Sequence, residues 1–314
     1  MLFLEYMGTA FGQVLILAVL VVTGFICDRT KLFTEKVARS CNDLLFYIVT
    51  PAVIINSFLK VEFNAQNALS FLKAIGIVVC FHLAGMVLVR FLFRSSGKDR
   101  PVFQYAAMYG NMGYMGLPLA EAVAGELGVF YCSAAVVVFN IFAFTHGISL
   151  MRKGEEQLKK RSLFLNPGTI GIVIGLPLCL LRFWLEVDLP APIAEPIGYL
   201  GSLNTPLAML MFGTYLANTD LPGMFKRAEN YIVALVKLLL LPAVAFGALY
   251  LLGVRDELLV TAAVFCGAPT ANNTAMFAAK YGHDTGLASK VSGFTSMLSI
   301  VTLAMWIALA QYFG

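Results

Sequence analysis

Two short stretches place polar and helix-breaking residues inside apolar runs. The first, GNMGYMGLPLAEAVAG (110–125), has one carboxamide, Asn111, among Gly110, Gly113, Gly116 and Pro118. The second, FCGAPTANNTAMFAAKYG (265–282), has Asn272 and Asn273 just after Gly267 and Pro269. Proline removes a backbone donor and crowds the preceding turn, and glycine lets the chain leave helical geometry. A helix broken this way has free N–H groups and partial positive charge at the start of its second half. Two such starts aimed at one place suit an anion, and the amides of Asn111, Asn272 and Asn273 can donate to a carboxylate. The expected lining is Asn111, Gly113, Pro118, Pro269, Asn272 and Asn273.

Other polar residues lie in neighbouring apolar runs. Ser133, Asn140, Thr145 and His146 fall in one run, and Ser292, Thr295, Ser296, Ser299 and Thr302 in another. Steps of three and four put the second set on one helix face. Such residues either pack between membrane helices or, with Asn140 and Ser296 foremost, face the same site. Lys237 stands about two turns into YIVALVKLLLLP. An intramembrane lysine marks function by default. It either pairs with a bound anion or snorkels to an interface about 10 Å away at 1.5 Å per residue. His82 reads as a hydrogen-bonded structural residue, and Glu121 reads as an outer-rim residue. No carboxylate pair falls deep in an apolar run. This argues against an aspartate-based proton antiporter and a carboxylate-rich sodium site.

The whole chain is built to hold such stretches in lipid. Its 314 residues are 59% hydrophobic and 13% charged, about half the charge of a soluble domain, and the mean hydropathy is +0.81. Soluble enzymes, disulfide scaffolds and nucleic-acid binders are excluded. The six cysteines form no C-x-x-C pair and read as small buried hydrophobes. The motifs H-E-x-x-H, G-x-S-x-G and G-x-x-x-x-G-K-[ST] do not occur, which argues against an intramembrane enzyme and an ATP-driven pump.

Ten apolar segments run at about 9–27, 41–59, 69–92, 102–123, 129–150, 166–185, 193–217, 230–252, 258–279 and 288–312. The first lacks a basic flank and reads as a span, not a cleaved signal. All should be helices, since lipid offers backbone groups no partners, and the runs do not alternate as barrel strands would. Seventeen of the 22 Lys and Arg residues fall in or beside the loops after odd-numbered spans, four fall on the other side, and Lys237 lies within a span. This puts the odd-to-even loops in the cytoplasm and both termini outside. Five spans per half make the second half inverted. Matches near half the chain length agree: Thr50-Pro51 with Thr205-Pro206, Ala106-Ala107 with Ala262-Ala263, and Gly110 and Gly125 with Gly267 and Gly282. The expected fold is an all-α membrane protein of ten transmembrane helices. It forms a 5+5 inverted repeat, residues 1–157 and 158–314, with helices 4 and 9 broken and crossing. Inverted repeats are a transporter architecture with the site at the midplane.

On GNMGYMGLPL (110–119) and GAPTANN…FAAKYG (267–282), the sequence resembles the auxin efflux carrier family, within the bile acid/sodium symporter-like ten-helix group. The family includes bacterial malate or malonate permeases and plant PIN-type carriers. The resemblance implies spans 4 and 9 crossed in an X. It also implies a scaffold of spans 1, 2, 6 and 7, a transport part of spans 3–5 and 8–10, and a homodimer through the scaffold. Asn111 maps to the substrate-lining asparagine and Pro118 to a crossover proline. Thr274 stands where PIN-type carriers have a second proline, so Pro269 should do more of the breaking. Residues 152–165 form a short loop, as in the bacterial members.

The expected function is secondary active or facilitative transport of small organic anions, such as malate, malonate or auxin-like acids, in the plasma or inner membrane. No cofactor or metal is expected, and no nucleic acid partner. Na+- or H+-coupled transport on the same fold is the alternative. A membrane receptor or sensor for an organic acid is the alternative from another class.

Overall fold

The computed structural model describes residues 2–62, 64–94, 96–152, 167–185 and 188–314, and among these it is all-helical with no strand. Helix α1 (Leu2–Arg29) is followed by α2 (Glu35–Leu44), which continues through a π turn, Leu45–Val49, into α3 (Thr50–Lys60). Next come α4 (Ala65–Leu92), α5 (Arg100–Met108), a π turn at Met112–Gly116, α6 (Leu117–Phe142), another at Ala143–Gly147, and α7 (Ile148–Met151). The remaining helices are α8 (Pro167–Leu185), α9 (Ala191–Ser202), α10 (Asn204–Ala217), α11 (Leu221–Met224), α12 (Ala228–Leu235), a π turn at Val236–Leu240, α13 (Leu241–Leu251), α14 (Asp256–Gly267), α15 (Asn273–Lys280) and α16 (Thr285–Phe313). Among the described residues, six helical runs are long and apolar enough to cross a membrane: 11–29, 35–60, 65–92, 112–151, 228–251 and 285–313. Thr169–Leu185 is a shorter apolar helix.

Large apolar side chains cover the outside, among them Ile16 and Val19 on α1, Leu72 and Val87 on α4, and Val244 and Leu251 on α13. A contiguous apolar exterior of this extent suits lipid, not water. Small residues hold the inner contacts. A Cβ on Gly24 of α1 would lie 2.1 Å from Leu210 O of α10, and one on Gly213 of α10 would lie 2.0 Å from Val21 O. The two backbones meet through glycine, as membrane helices do when close packing drives association.

Three of the four π turns share a sequence cause. Each is followed, at the second residue of the next helix, by proline: Pro51, Pro118 and Pro242. A proline ring clashes with the carbonyl four residues back and offers it no donor. Widening the preceding turn by one residue relieves that clash, so the helix continues with a bulge instead of a break. The expected spans 102–123 and 129–150 are joined inside α6 by Gly125, at φ 58 and ψ −146. The chain folds back there: a Cβ on Gly116 would lie 3.5 Å from Cys132 Sγ. In a straight helix residues 16 apart are about 24 Å apart.

Candidate functional site

Both expected interruptions are present, and they are bound to each other. After Met108 the chain leaves helical geometry, with Tyr109 extended (φ −91, ψ 113) and Asn111 at φ −78, ψ 66. The second gap opens at Ala268 (φ −55, ψ 136), after Gly267, and closes at Asn273. Gly110 and Thr270 form an antiparallel bridge. Asn111 N–H donates to Pro269 O at 2.7 Å, and Ala271 N–H donates to Tyr109 O at 2.9 Å. Residues that each helix leaves unpaired thus satisfy one another, so both interruptions persist in an apolar interior where unpaired backbone groups are costly.

Side chains reinforce the junction. Thr270 Oγ1 donates to Ala106 O in the last turn of α5 at 2.8 Å. Thr270 N–H donates to Thr295 Oγ1 of α16 at 3.2 Å. Tyr109 OH donates to Phe142 O at 3.1 Å and lies 2.8 Å from His146 Nδ1. Sequence reading missed Tyr109, Thr270 and the α5 carbonyls. Their only signal is position inside the two motifs, because threonine and tyrosine are ordinary residues in membrane helices.

The expected site residues divide as follows. Asn111 is 4% exposed, and its Oδ1 accepts from Tyr114 N–H at 3.3 Å, capping the turn that begins the second half. Its Nδ2, also buried, has no hydrogen-bond partner. Gly113 lies two residues on, and a Cβ there would meet nothing within 4 Å. A buried, uncommitted amide donor therefore stands at a helix start, two residues before a glycine whose Cβ position is open. Asn272 and Asn273 begin α15, and Asn273 neighbours the Tyr105 phenol. Pro269 lies inside the second gap and supplies the carbonyl that Asn111 binds.

Pro118 is not where the first helix breaks. The gap is at 109–111, and Pro118 lies beyond the π turn, at the second residue of α6. Thr274 likewise follows its gap. It is the second residue of α15, and its Oγ1 and N–H both donate to Ala271 O, at 2.6 and 3.0 Å. Ser296 is fully buried with Oγ unpartnered, and Asn140 is 5% exposed on α6. Several other members of the polar stripes bond within their own helices: Ser133 to Phe130 O, Thr145 to Ile141 O and Ser299 to Ser296 O. For these, helix packing is the better reading.

Lys237 does not snorkel. It is 0% exposed, and its Nζ donates to Met108 O at 3.5 Å. The π turn carrying it directs the side chain inward. His82 is buried as expected, with Nδ1 2.8 Å from Val78 O and its ring stacked on Phe142. Glu121 Oε2 accepts from Thr205 Oγ1 of α10 at 3.1 Å, at an exposed position. Among the described residues, no buried Asp or Glu accompanies the junction. An open groove of about 710 Å³ lies apart from it, between α3, α8 and α9.

Residues 9–307 match the family model described as membrane transport protein. The chain belongs to that family. An uncharacterized transporter of Methanocaldococcus jannaschii is 25% identical over 303 residues, covering 93% of this chain and 96% of its own. A candidate malonate transporter of Rhizobium meliloti is 25% identical over 303 residues, 93% of each chain. Auxin efflux carrier component 1 of Arabidopsis thaliana is 26% identical over 151 residues, 48% of this chain and 24% of its own. The resemblance read from the two motifs therefore holds over almost the whole sequence, and the chain is a membrane transporter, not an enzyme.

Proposed function

We propose that this transporter carries small organic anions, of the malonate or malate class, by alternating access at the paired interruptions. The observation that carries the reading is the amide of Asn111, held at a helix start with its donors uncommitted beside Gly113. The half-helix beginning at Met112 and α15 (Asn273–Lys280) both start at the junction, and each start carries about half a positive charge. Asn272 and Asn273 on the second, with Asn140 and Ser296 nearby in the reading, complete an amide-and-hydroxyl lining. Near-full-length similarity to the Rhizobium meliloti protein favours malonate as the first probe.

The same proposal includes ten spans in a 5+5 inverted repeat, with spans 4 and 9 crossing. Support comes from backbone geometry. Among the described residues, four glycines have positive φ: Gly97, Gly125, Gly253 and Gly282. They form two pairs, 156 and 157 residues apart. A positive-φ glycine recurring at the repeat interval supports duplicated structure, because glycine alone enters positive φ freely. The basic-residue asymmetry supports external termini. Of the loop that contributes most to it, Lys153, Lys159, Lys160 and Arg161, like the repeat boundary at 157/158, lie outside the described residues. The homodimer through spans 1, 2, 6 and 7 belongs to the same reading, and size analysis in detergent tests it.

The test uses proteoliposomes loaded with unlabelled malonate and supplied with labelled malonate outside. Accelerated counterflow supports the reading. Binding without counterflow favours the receptor alternative. Failure to bind any small mono- or dicarboxylate overturns the anion site.

A further inference from the structure

The paired interruptions bring together two helix starts and two helix ends. The ends are Met108 of α5 and Gly267 of α14, each finishing at the junction with carbonyls that no following turn covers. Such ends carry about half a negative charge. In transporters with broken helices, unwound carbonyls and half-helix ends commonly coordinate sodium or a proton. Here an ammonium group reaches that place. Lys237 Nζ donates to Met108 O at 3.5 Å. A Cβ on Gly110 would lie 2.9 Å from that Nζ and 3.2 Å from Ala268 O, the carbonyl that follows α14. The ammonium therefore lies against Gly110 with a carbonyl from each broken helix close by, and the glycine makes the room.

We infer that Lys237 is the transporter's built-in cation, seated at the two carbonyl ends where a broken-helix carrier would otherwise bind sodium. The seat has cation chemistry throughout. The Phe81 ring lies 5.4 Å from Nζ, close enough for a cation–π contact. Among the described residues no carboxylate is buried to claim the charge. The nearby titratable groups are Cys266 and His82, neither of them an acid of carboxylate strength. The chain holds the lysine in place through its π turn, where Trp306 Nε1 donates to Leu238 O at 2.8 Å and Pro242 follows in α13. Charge is thus divided across the junction, with the resident cation on the carbonyl side and the substrate anion on the N–H side. The consequence is a carrier whose fold and substrate binding need no sodium.

The functional half of this inference rests on the proposed anion site, but the stability half does not. Wild type, Lys237→Ser and Lys237→Arg are purified full-length, and their thermal midpoints are read in sodium chloride and in choline chloride at equal ionic strength. Wild type should show the same midpoint in both salts. Lys237→Ser should lose several degrees in choline and recover with saturating dependence on sodium or lithium, because a ligand that binds only the folded state stabilises it. Lys237→Arg should lie closer to wild type in choline than the serine variant does. A sodium response in wild type overturns the inference. So does a serine variant that is undamaged, or one that no small cation restores. If Lys237→Ser does not accumulate folded, the decision passes to wild-type midpoints and to Lys237→Met, which keeps the side-chain volume. A Met variant as stable as wild type in choline overturns the inference, and a destabilised one beside a sodium-indifferent wild type supports it. Absence of malonate binding with these midpoint results intact would count against the proposed anion site alone.

Discussion

In the proposed site Asn111 has two jobs, one for each end of its side chain, and substitution can separate them. Its Oδ1 caps the turn starting at Met112 by accepting from Tyr114 N–H, and its Nδ2 is buried without a partner. Asn111→Ala removes both. Loss of the cap costs about 1 kcal/mol of stability. Loss of a hydrogen bond to a charged ligand costs roughly 1.5–3 kcal/mol, which weakens binding about 10- to 150-fold. Asn111→Asp is the sharper probe. It keeps the capping oxygen at a helix start, where a carboxylate is favourable. It also replaces the donor with a negative charge facing the anion. At about 4 Å and an effective dielectric near 20, that repulsion is about 4 kcal/mol. Added to the lost hydrogen bond, it takes binding down by more than about 1,000-fold. Isothermal titration with malonate, or with whichever small carboxylate wild type binds, reads the affinity, and a thermal melt reads the fold. The expected order of affinity is wild type, Ala, Asp, while the Asp protein melts no lower than the Ala protein. An Asp variant that binds within threefold of wild type would refute the placement of the anion beside this amide.

Four further outcomes follow from the geometry. Thr274→Pro should be tolerated, since Thr274 is the second residue of α15 and proline suits a first turn; the loss is its two bonds to Ala271 O, and expression with wild-type elution in size-exclusion chromatography checks it. Pro118→Ala should leave the break at 109–111 intact but let the π turn at Met112–Gly116 tighten, turning Gly113 and Asn111 relative to α6; the readout is reduced malonate uptake by a protein that still folds. Gly213→Leu should prevent folding, because even a Cβ would lie 2.0 Å from Val21 O of α1 and backbone cannot yield that distance; Gly247→Leu, with nothing within 4 Å, is the control, and accumulation of both proteins would contradict the close α1–α10 contact. In a cysteine-free background on intact cells, Asp188→Cys should label with an impermeant thiol reagent and Lys226→Cys should not; the reverse pattern would invert the proposed orientation.

Much of the architecture was legible because lipid narrows the choices. Apolar length and the internal satisfaction of backbone groups dictate helices, and Gly110, Gly113, Gly267 and Pro269 marked where two helices fail. Less legible was what each breaker does. Pro118 looked like the crossing point because proline is the strongest helix breaker. In the fold it only widens a turn, since its clash reaches back four residues and a π turn absorbs it. Pro51 and Pro242 do the same, whereas Pro177 and Pro196 lie inside α8 and α9 with no π turn before them. The actual gap at Tyr109–Asn111 needed no proline, because partners in the other helix replace its missing bonds. Those partners lie about 160 residues away in sequence, and no local pattern announces them.

Lys237 shows the same limit for charge. Its distance from the end of its span is compatible with either burial or snorkelling, and sequence alone leaves the choice open. The decision is made by the π turn that aims it and by two carbonyl ends that come from other helices. A lysine buried without an acid is costly in isolation, so the fold must supply negative potential from elsewhere. Helix ends can do this without adding a titratable group, which keeps carboxylates out of the proposed anion site. The arrangement of the junction thus accounts for two otherwise separate features of the sequence: one deeply placed lysine, and amides in place of acids at the helix starts.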